Sequence, residues 1–210
     1  APESARVVLV NRPNSPQSFI VGGEITPYSA SDETIVDLTN ANNALGGNFL
    51  ARLNMNLRET KGWSYGVRGG PSINEGAVAY FVQAPVQADR TGDALAEIIK
   101  EVSEFVTTRG VTDEELTRNV NNEIRQLPGQ FETSSAVLGA MQNNVKYGRP
   151  MDYYETLADK YRGQTVESLD AAARKAISPD RFVWVVVGDA EKVRPQLDKL
   201  GLPIETIEVE

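Results

Sequence analysis

Near the end of the chain, residues 182–187 read Phe-Val-Trp-Val-Val-Val, six apolar residues in unbroken succession. The run is too short to cross a bilayer, which takes ~20 residues as a helix, and it is rich in the β-branched and aromatic types that favour strands. With apolar side chains destined for both faces, it predicts a strand in the middle of a sheet. The remaining chain must therefore supply flanking strands and a layer of helices to cover them.

The other elements follow from periodicity and punctuation. Residues 6–11 read as a buried strand and residues 12–16, Arg-Pro-Asn-Ser-Pro, as a turn, because each proline restricts its own φ and the residue before it. Residues 17–25 alternate as a second strand, where Gly22 and Gly23 predict a bulge or a close backbone approach. Residues 28–43 read as a helix capped by Ser29 or Ser31, with Asp32 and Glu33 favourable to the dipole of its first turn. After Gly46-Gly47, residues 48–59 resume as a helix on the stripe Leu50, Leu53, Leu57. Residues 64–72 and 77–83 predict an antiparallel pair. Residues 89–108 form the clearest amphipathic helix, on Leu95, Ile98, Ile99, Val102, Phe105 and Val106. Thr112 and Glu115 make a capping box that opens the next helix, which Pro128-Gly129 ends. Further helices are expected over 132–147, 153–161, 165–176 and 190–200, and a last strand over 203–209.

Strands thus come in local pairs rather than alternating with helices. This predicts an α+β fold, an antiparallel or mixed sheet covered by helices, with residues 1–210 as one domain. The first residue is Ala rather than Met and no apolar signal core follows, as expected of a piece of something longer or of a chain whose tag has been removed.

Composition narrows the function. The formal net charge of −8 argues against a nucleic-acid backbone as partner, and no stretch is apolar enough for a membrane span. The chain has neither cysteine nor histidine. Disulfides, thiol chemistry, a Ser-His-Asp triad and an ordinary zinc site are all excluded. Any catalytic part this chain plays is one of positioning or electrostatics.

Residues 45–67 hold the candidate site. Gly46-Gly47 opens the stretch, Arg58 lies at the end of its helix and Tyr65 follows seven positions later. A guanidinium can grip a carbonyl or carboxylate with a fixed fork of donors, and a phenol can donate to a developing oxyanion. The plain alternative is a solvated cation near a helix C-terminus and a half-buried aromatic. The glycine pair is either a helix break or a place where a substrate backbone comes close; it matches no phosphate loop.

The same stretch resembles the signature of the M16 metallopeptidases, the family of insulysin, pitrilysin and the mitochondrial processing peptidase. Arg52, Leu53, Leu57, Arg58, Glu59, Gly62 and Tyr65 match its S-R-L and L-R-E-x-x-G-x-x-Y pattern, with Ala51 in place of the usual serine. Arg12-Pro13 with Gln17-Ser18, and the strand at 182–188, resemble the start and end of the second domain of an M16 half. The resemblance implies four similar α+β domains closing as a clamshell on an unfolded peptide, with zinc on an H-x-x-E-H motif of a partner domain in the same or another chain. This chain would be the zinc-free domain, inactive alone. Tyr65 would donate to the scissile carbonyl oxygen, Arg58 would hold main-chain carbonyls, and Gly46 and Gly47 would fall at a substrate-recognition loop. A sheet fold also suits an extended peptide added as a strand. The alternatives are a non-catalytic M16-like scaffold, as in the respiratory-complex core proteins, and an independent peptide-binding module. Bacterial periplasm, cell envelope and cytoplasm all remain open.

Overall fold

The computed structural model describes residues 3–208. Six strands form one mixed sheet: β1 Arg6–Asn11, β2 Gln17–Ile25, β3 Arg68–Ile73, β4 Val78–Gln87, β5 Val183–Gly188 and β6 Ile204–Glu208, in the spatial order β3-β4-β2-β5-β1-β6. β1 pairs in parallel with β5 and β6, and the other pairings are antiparallel. The expected α+β architecture is the one observed. Residue 209, at the end of the last predicted strand, lies outside the described residues.

The strand period of two assigns the faces. In β4, Val78, Tyr80, Val82, Ala84 and Val86 are buried while the residues between them are partly open. β5 is flanked on both sides, as predicted, but only Trp184 and Val186 point into the core; Val183, Val185 and Val187 are half-buried on the other face. The helices cover one face of the sheet, so the apolar run is central in pairing without being sealed on both sides.

The covering layer is built from α1 Ile35–Leu45, α3 Thr91–Thr107, α7 Val166–Ala176 and α8 Ala190–Leu197. α3 buries Ala94, Leu95, Ile98, Val102 and Phe105 at helical spacing. α4 Asp113–Gln126 begins with the predicted Thr112–Glu115 capping box. With α6 Leu157–Arg162 it lies further out, around a smaller cluster of Val36, Tyr153, Leu157 and Tyr161, while α5 Ser134–Lys146 is largely exposed. Among the described residues no helix is long and apolar enough to cross a membrane.

Several boundaries differ from expectation, each for a physical reason. α1 starts at Ile35, not residue 28, and neither Ser29 nor Ser31 caps it; their hydroxyls lie 3.1 Å from each other. Tyr28 is drawn away into the core, where its hydroxyl donates to the Ala172 carbonyl at 3.2 Å. Gly22 and Gly23 make no bulge, since β2 keeps continuous register with β4 and β5. Gly22 instead leaves room for the Trp184 indole: a Cβ there would sit 2.0 Å from Trp184 Cε3. The aromatic segment at 153–161 is helical only from Leu157, and β4 runs on to Gln87.

Candidate functional site

The predicted helix at 48–59 is two different pieces. Arg52–Asn54 makes a short α-helical turn, α2, and Met55–Thr60 continues it as a π-helical segment. The backbone N–H of Lys61 reaches back five residues to the Asn56 carbonyl at 3.0 Å. Leu53 and Leu57 are buried, but Leu50 is exposed outside the helix. π-segments of this kind are rare and recur at functional sites because they re-aim side chains. Here the segment carries Arg58. Gly62, at φ +66°, then ends the turn in a conformation other residues adopt only with strain.

Arg52 fixes the start of this unit. Its guanidinium donates from Nε to Glu115 Oε1 at 2.8 Å and from Nη2 to Oε2 at 2.6 Å, and also donates to the carbonyls of Arg109 and Gly110. Burial pushes the Glu115 carboxyl up. The hydrogen bond and charge of Arg52, with the Thr112 N–H, outweigh that and leave it below the ordinary carboxylate range.

Tyr65 is not in β3, as the sequence pattern predicts, but in the short loop before it. Both sides of the loop are pinned. Ser64 bridges to Val86 and donates its hydroxyl to the Pro85 carbonyl at 2.6 Å, while accepting from the Gly66 N–H at 3.1 Å. Val67 N–H donates to Asn54 Oδ1 at 3.2 Å. Between these anchors the Tyr65 side chain stands outward, 84% exposed.

Arg58 and Tyr65 line one cleft of about 320 Å³, with Gly47, Asn48, Phe49, Asn54 and Arg68 among its other walls. The Arg58 guanidinium lies 4.7 Å from the centre of the Phe49 ring, and its Nε is 3.3 Å from Glu59 Oε1. The aromatic face restrains the cation without using up its donors. Asn54, 4% exposed, donates to the Phe49 carbonyl at 2.8 Å while holding Val67, so one side chain ties both lips of the cleft. Sequence reasoning passed over Asn54; the only local signal is a polar residue on the apolar stripe between Leu53 and Leu57.

The glycine pair acts first on its own chain. Gly46 lies against the outer edge of β3, where its carbonyl accepts from the Gly69 N–H at 3.0 Å and a Cβ would be 2.9 Å from Gly69 N. Asn42 Nδ2 donates to the Gly69 carbonyl at 2.7 Å, Pro71 has no N–H, and the Tyr147 hydroxyl reaches the Ile73 carbonyl at 3.4 Å. The outward groups of this edge strand are largely taken, so an added peptide strand has little to pair with there. Gly47 borders the Arg58 cleft, and Gly46 and Gly47 both line an adjoining groove of about 480 Å³ along β3.

A separate depression of about 310 Å³ between α1 and α6 is lined by Glu33, Asp37, Lys160 and Gln164. Lys160 pairs with Glu33 at 3.0 Å and Gln164 donates to Asp37 at 2.8 Å, so these groups satisfy one another. Among the described residues, no group of three or more acidic, histidine or cysteine side chains is placed to hold a metal. With no histidine or cysteine in the donor set, this chain does not fit a zinc ion.

A family model described as the peptidase M16 inactive domain matches residues 1–123. The chain belongs to this family. It is 27% identical over 201 residues to an uncharacterized zinc protease of Mycobacterium bovis, covering 95% of this chain and 43% of that protein. It thus spans under half the length of that relative. Its fold is similar to the crystal structure of a peptidase M16 inactive domain from Pseudomonas fluorescens, with a TM-score of 0.80 and 24% identity over 90% of this chain and 44% of that one. It is also similar to a mutant of the ferredoxin protease FusC in complex with Arabidopsis ferredoxin, with a TM-score of 0.70 and 18% identity over 96% of this chain and 20% of that one.

Proposed function

We propose that residues 1–210 form the zinc-free C-terminal-type domain of an M16 zinc metalloendopeptidase. On this reading the domain is inactive alone and completes the active site of a partner domain, in the same or another chain, that holds zinc on an H-x-x-E-H motif. The substrate is an extended or unfolded polypeptide. Its scissile carbonyl oxygen receives a hydrogen bond from the Tyr65 hydroxyl as negative charge develops there, and Arg58 holds neighbouring main-chain carbonyls. Fixed donors of this kind act where charge appears in the transition state, without reorganising when it does.

The observation that carries the proposal is the cleft itself. It presents a phenol between two pinned backbone points and a guanidinium laid on an aromatic ring, both open to an incoming chain. The family membership and the name of the mycobacterial relative support the peptidase context. A fold neighbour in complex with ferredoxin supports a polypeptide ligand. Because the outer edge of β3 is largely closed, the peptide lies across the cleft mouth near Gly47, in place of adding as a strand to that edge.

The test is reconstitution. The chain is combined with its H-x-x-E-H partner domain and assayed on a quenched peptide with and without a chelator. Cleavage that needs both domains and stops with chelator is expected. Peptide binding without cleavage would make this a binding module, and neither would make it a scaffold.

A further inference from the structure

Tyr65 borders a second cleft, which does not include Arg58. This one has a volume of about 290 Å³ and is walled by Pro16, Gln17, Trp63, Ser64, Tyr65 and Pro85. Its chemistry differs from that of its neighbour. Two cations, Arg58 and Arg68, line the first cleft, whereas no charged side chain lines the second. The Trp63 indole is half-buried, with Lys61 Nζ 4.7 Å and the Arg90 guanidinium 5.8 Å from its ring centre, and neither cation lines the cleft. Lys61 is in turn held by Glu97 at 3.1 Å. The Ser64 hydroxyl is occupied by Pro85 and Gly66, so the polar group nearest Tyr65 has little left to offer a ligand. The walls are thus two aromatic rings, two prolines and Val86, with the uncharged amides of Gln17 and Gln87 beside them, on a strongly acidic protein and sharing a wall with the candidate catalytic phenol.

We infer that the Trp63 cleft is a side-chain subsite that takes an apolar side chain, aliphatic or aromatic, of the peptide whose carbonyl Tyr65 and Arg58 engage. The inference rests on the reading of that pair given above. An extended chain advances about 3.3 Å per residue. With its carbonyl at the Tyr65 hydroxyl, a residue one or two positions along reaches the far side of the ring, where this cleft opens. Filling it removes apolar surface from water on both partners, whereas a glycine at that position leaves the walls wet and a carboxylate gives up hydration with no charged side chain in the lining to replace it. Discrimination by such a pocket runs to about 10–100-fold. Nothing local in the sequence joins Trp63 to Pro16 and Pro85; the start of β2 and the end of β4 bring them together.

The experiment uses the protein with its zinc-bearing partner domain and a series of quenched peptides, with glycine, leucine, phenylalanine or glutamate at each position flanking the cut. kcat/KM is measured for wild type, Trp63→Ala, Gln17→Lys and Tyr65→Phe. At one position, wild type is expected to prefer leucine and phenylalanine over glycine by about 10–100-fold, and Trp63→Ala to erase that ratio. Gln17→Lys, on the exposed rim, is expected to raise glutamate relative to leucine at the same position by about tenfold, a gain that loss of folding does not mimic. If Trp63→Ala and Gln17→Lys leave the ranking of peptides unchanged while Tyr65→Phe lowers kcat for all of them, the subsite is overturned and the role of Tyr65 stands. If Tyr65→Phe leaves kcat unchanged, or no peptide is cut by the complete protein, the reading of the pair fails and the subsite falls with it.

Discussion

Replacing Arg52 with methionine should loosen the unit that carries Arg58, and the structure sets the size of the effect. The guanidinium makes two charge-assisted hydrogen bonds to Glu115, donates to the carbonyls of Arg109 and Gly110, and lies 5.3 Å from the centre of the Phe105 ring. Methionine keeps the apolar stem but none of the donors. Hydrogen bonds to charged groups contribute about 1.5–3 kcal/mol each to net stability, and they are not additive within one network. Both side chains of the pair are 14% exposed, so water can relieve part of the loss. A net cost of about 2–3 kcal/mol follows, which for a chain of this size lowers Tm by roughly 5–10 °C. The cost also depends on pH. Glu115 ionises more readily in the folded chain than in the unfolded one. Its contribution is therefore complete above the ordinary carboxylate pKa of about 4.3 and fades as pH falls through the lower folded value. Thermal unfolding of wild type and Arg52→Met between neutral and acid pH should show a gap that narrows on acidification, and a cycle with Glu115→Gln should show strong coupling. A Tm within 1–2 °C of wild type (less than about 1 kcal/mol), or a gap independent of pH, would refute the account of this pair.

Two further substitutions test the packing that positions the site. Gly22→Ala forces the fully buried Trp184 indole from its place and should destabilise by about 3 kcal/mol, seen as a lower unfolding midpoint and an altered near-ultraviolet signal from Trp184; an unchanged midpoint would contradict the contact. Asn42→Ala removes the partner of the buried Tyr80 hydroxyl, whose pKa burial raises, and of the Gly69 carbonyl. It should cost about 2 kcal/mol by denaturant unfolding, part of it recovered when Tyr80→Phe is added; purely additive losses would count against it.

The fold was legible where a short period repeats. The strand expected at 77–83, the central place of the apolar run at 182–187 and the Thr112-x-x-Glu115 box all belong to local rules, and the structure follows them, with the first strand running on to Gln87. Expectation failed where a distant contact decides. Ser29, Ser31, Asp32 and Glu33 have the chemistry of a helix start, yet Tyr28 is held by Ala172, 144 residues away, and α1 begins later. The glycine pair at 22–23 announces a close approach but not that Trp184 makes it. Near the site, Arg58 and Tyr65 were visible as residue types at a helix end and a strand entrance. Their cleft was not, because it depends on a π-segment, on Asn54 tying two lips together and on Ser64 anchoring the loop to β4. The largely closed outer edge of β3 was equally invisible, since it takes Asn42 and Gly46 at the end of α1 and Tyr147, about a hundred residues further on.

The central claim is that Tyr65 stabilises charge on a substrate carbonyl in an active site whose metal lies on a partner domain. It is tested most directly by kcat and KM of Tyr65→Phe in the complete two-domain protein. Phenylalanine keeps the ring and both neighbouring clefts while removing the one donor. The account predicts a fall in kcat of about 10²–10³-fold with KM changed little. Wild-type kcat, or a change confined to KM, would contradict it.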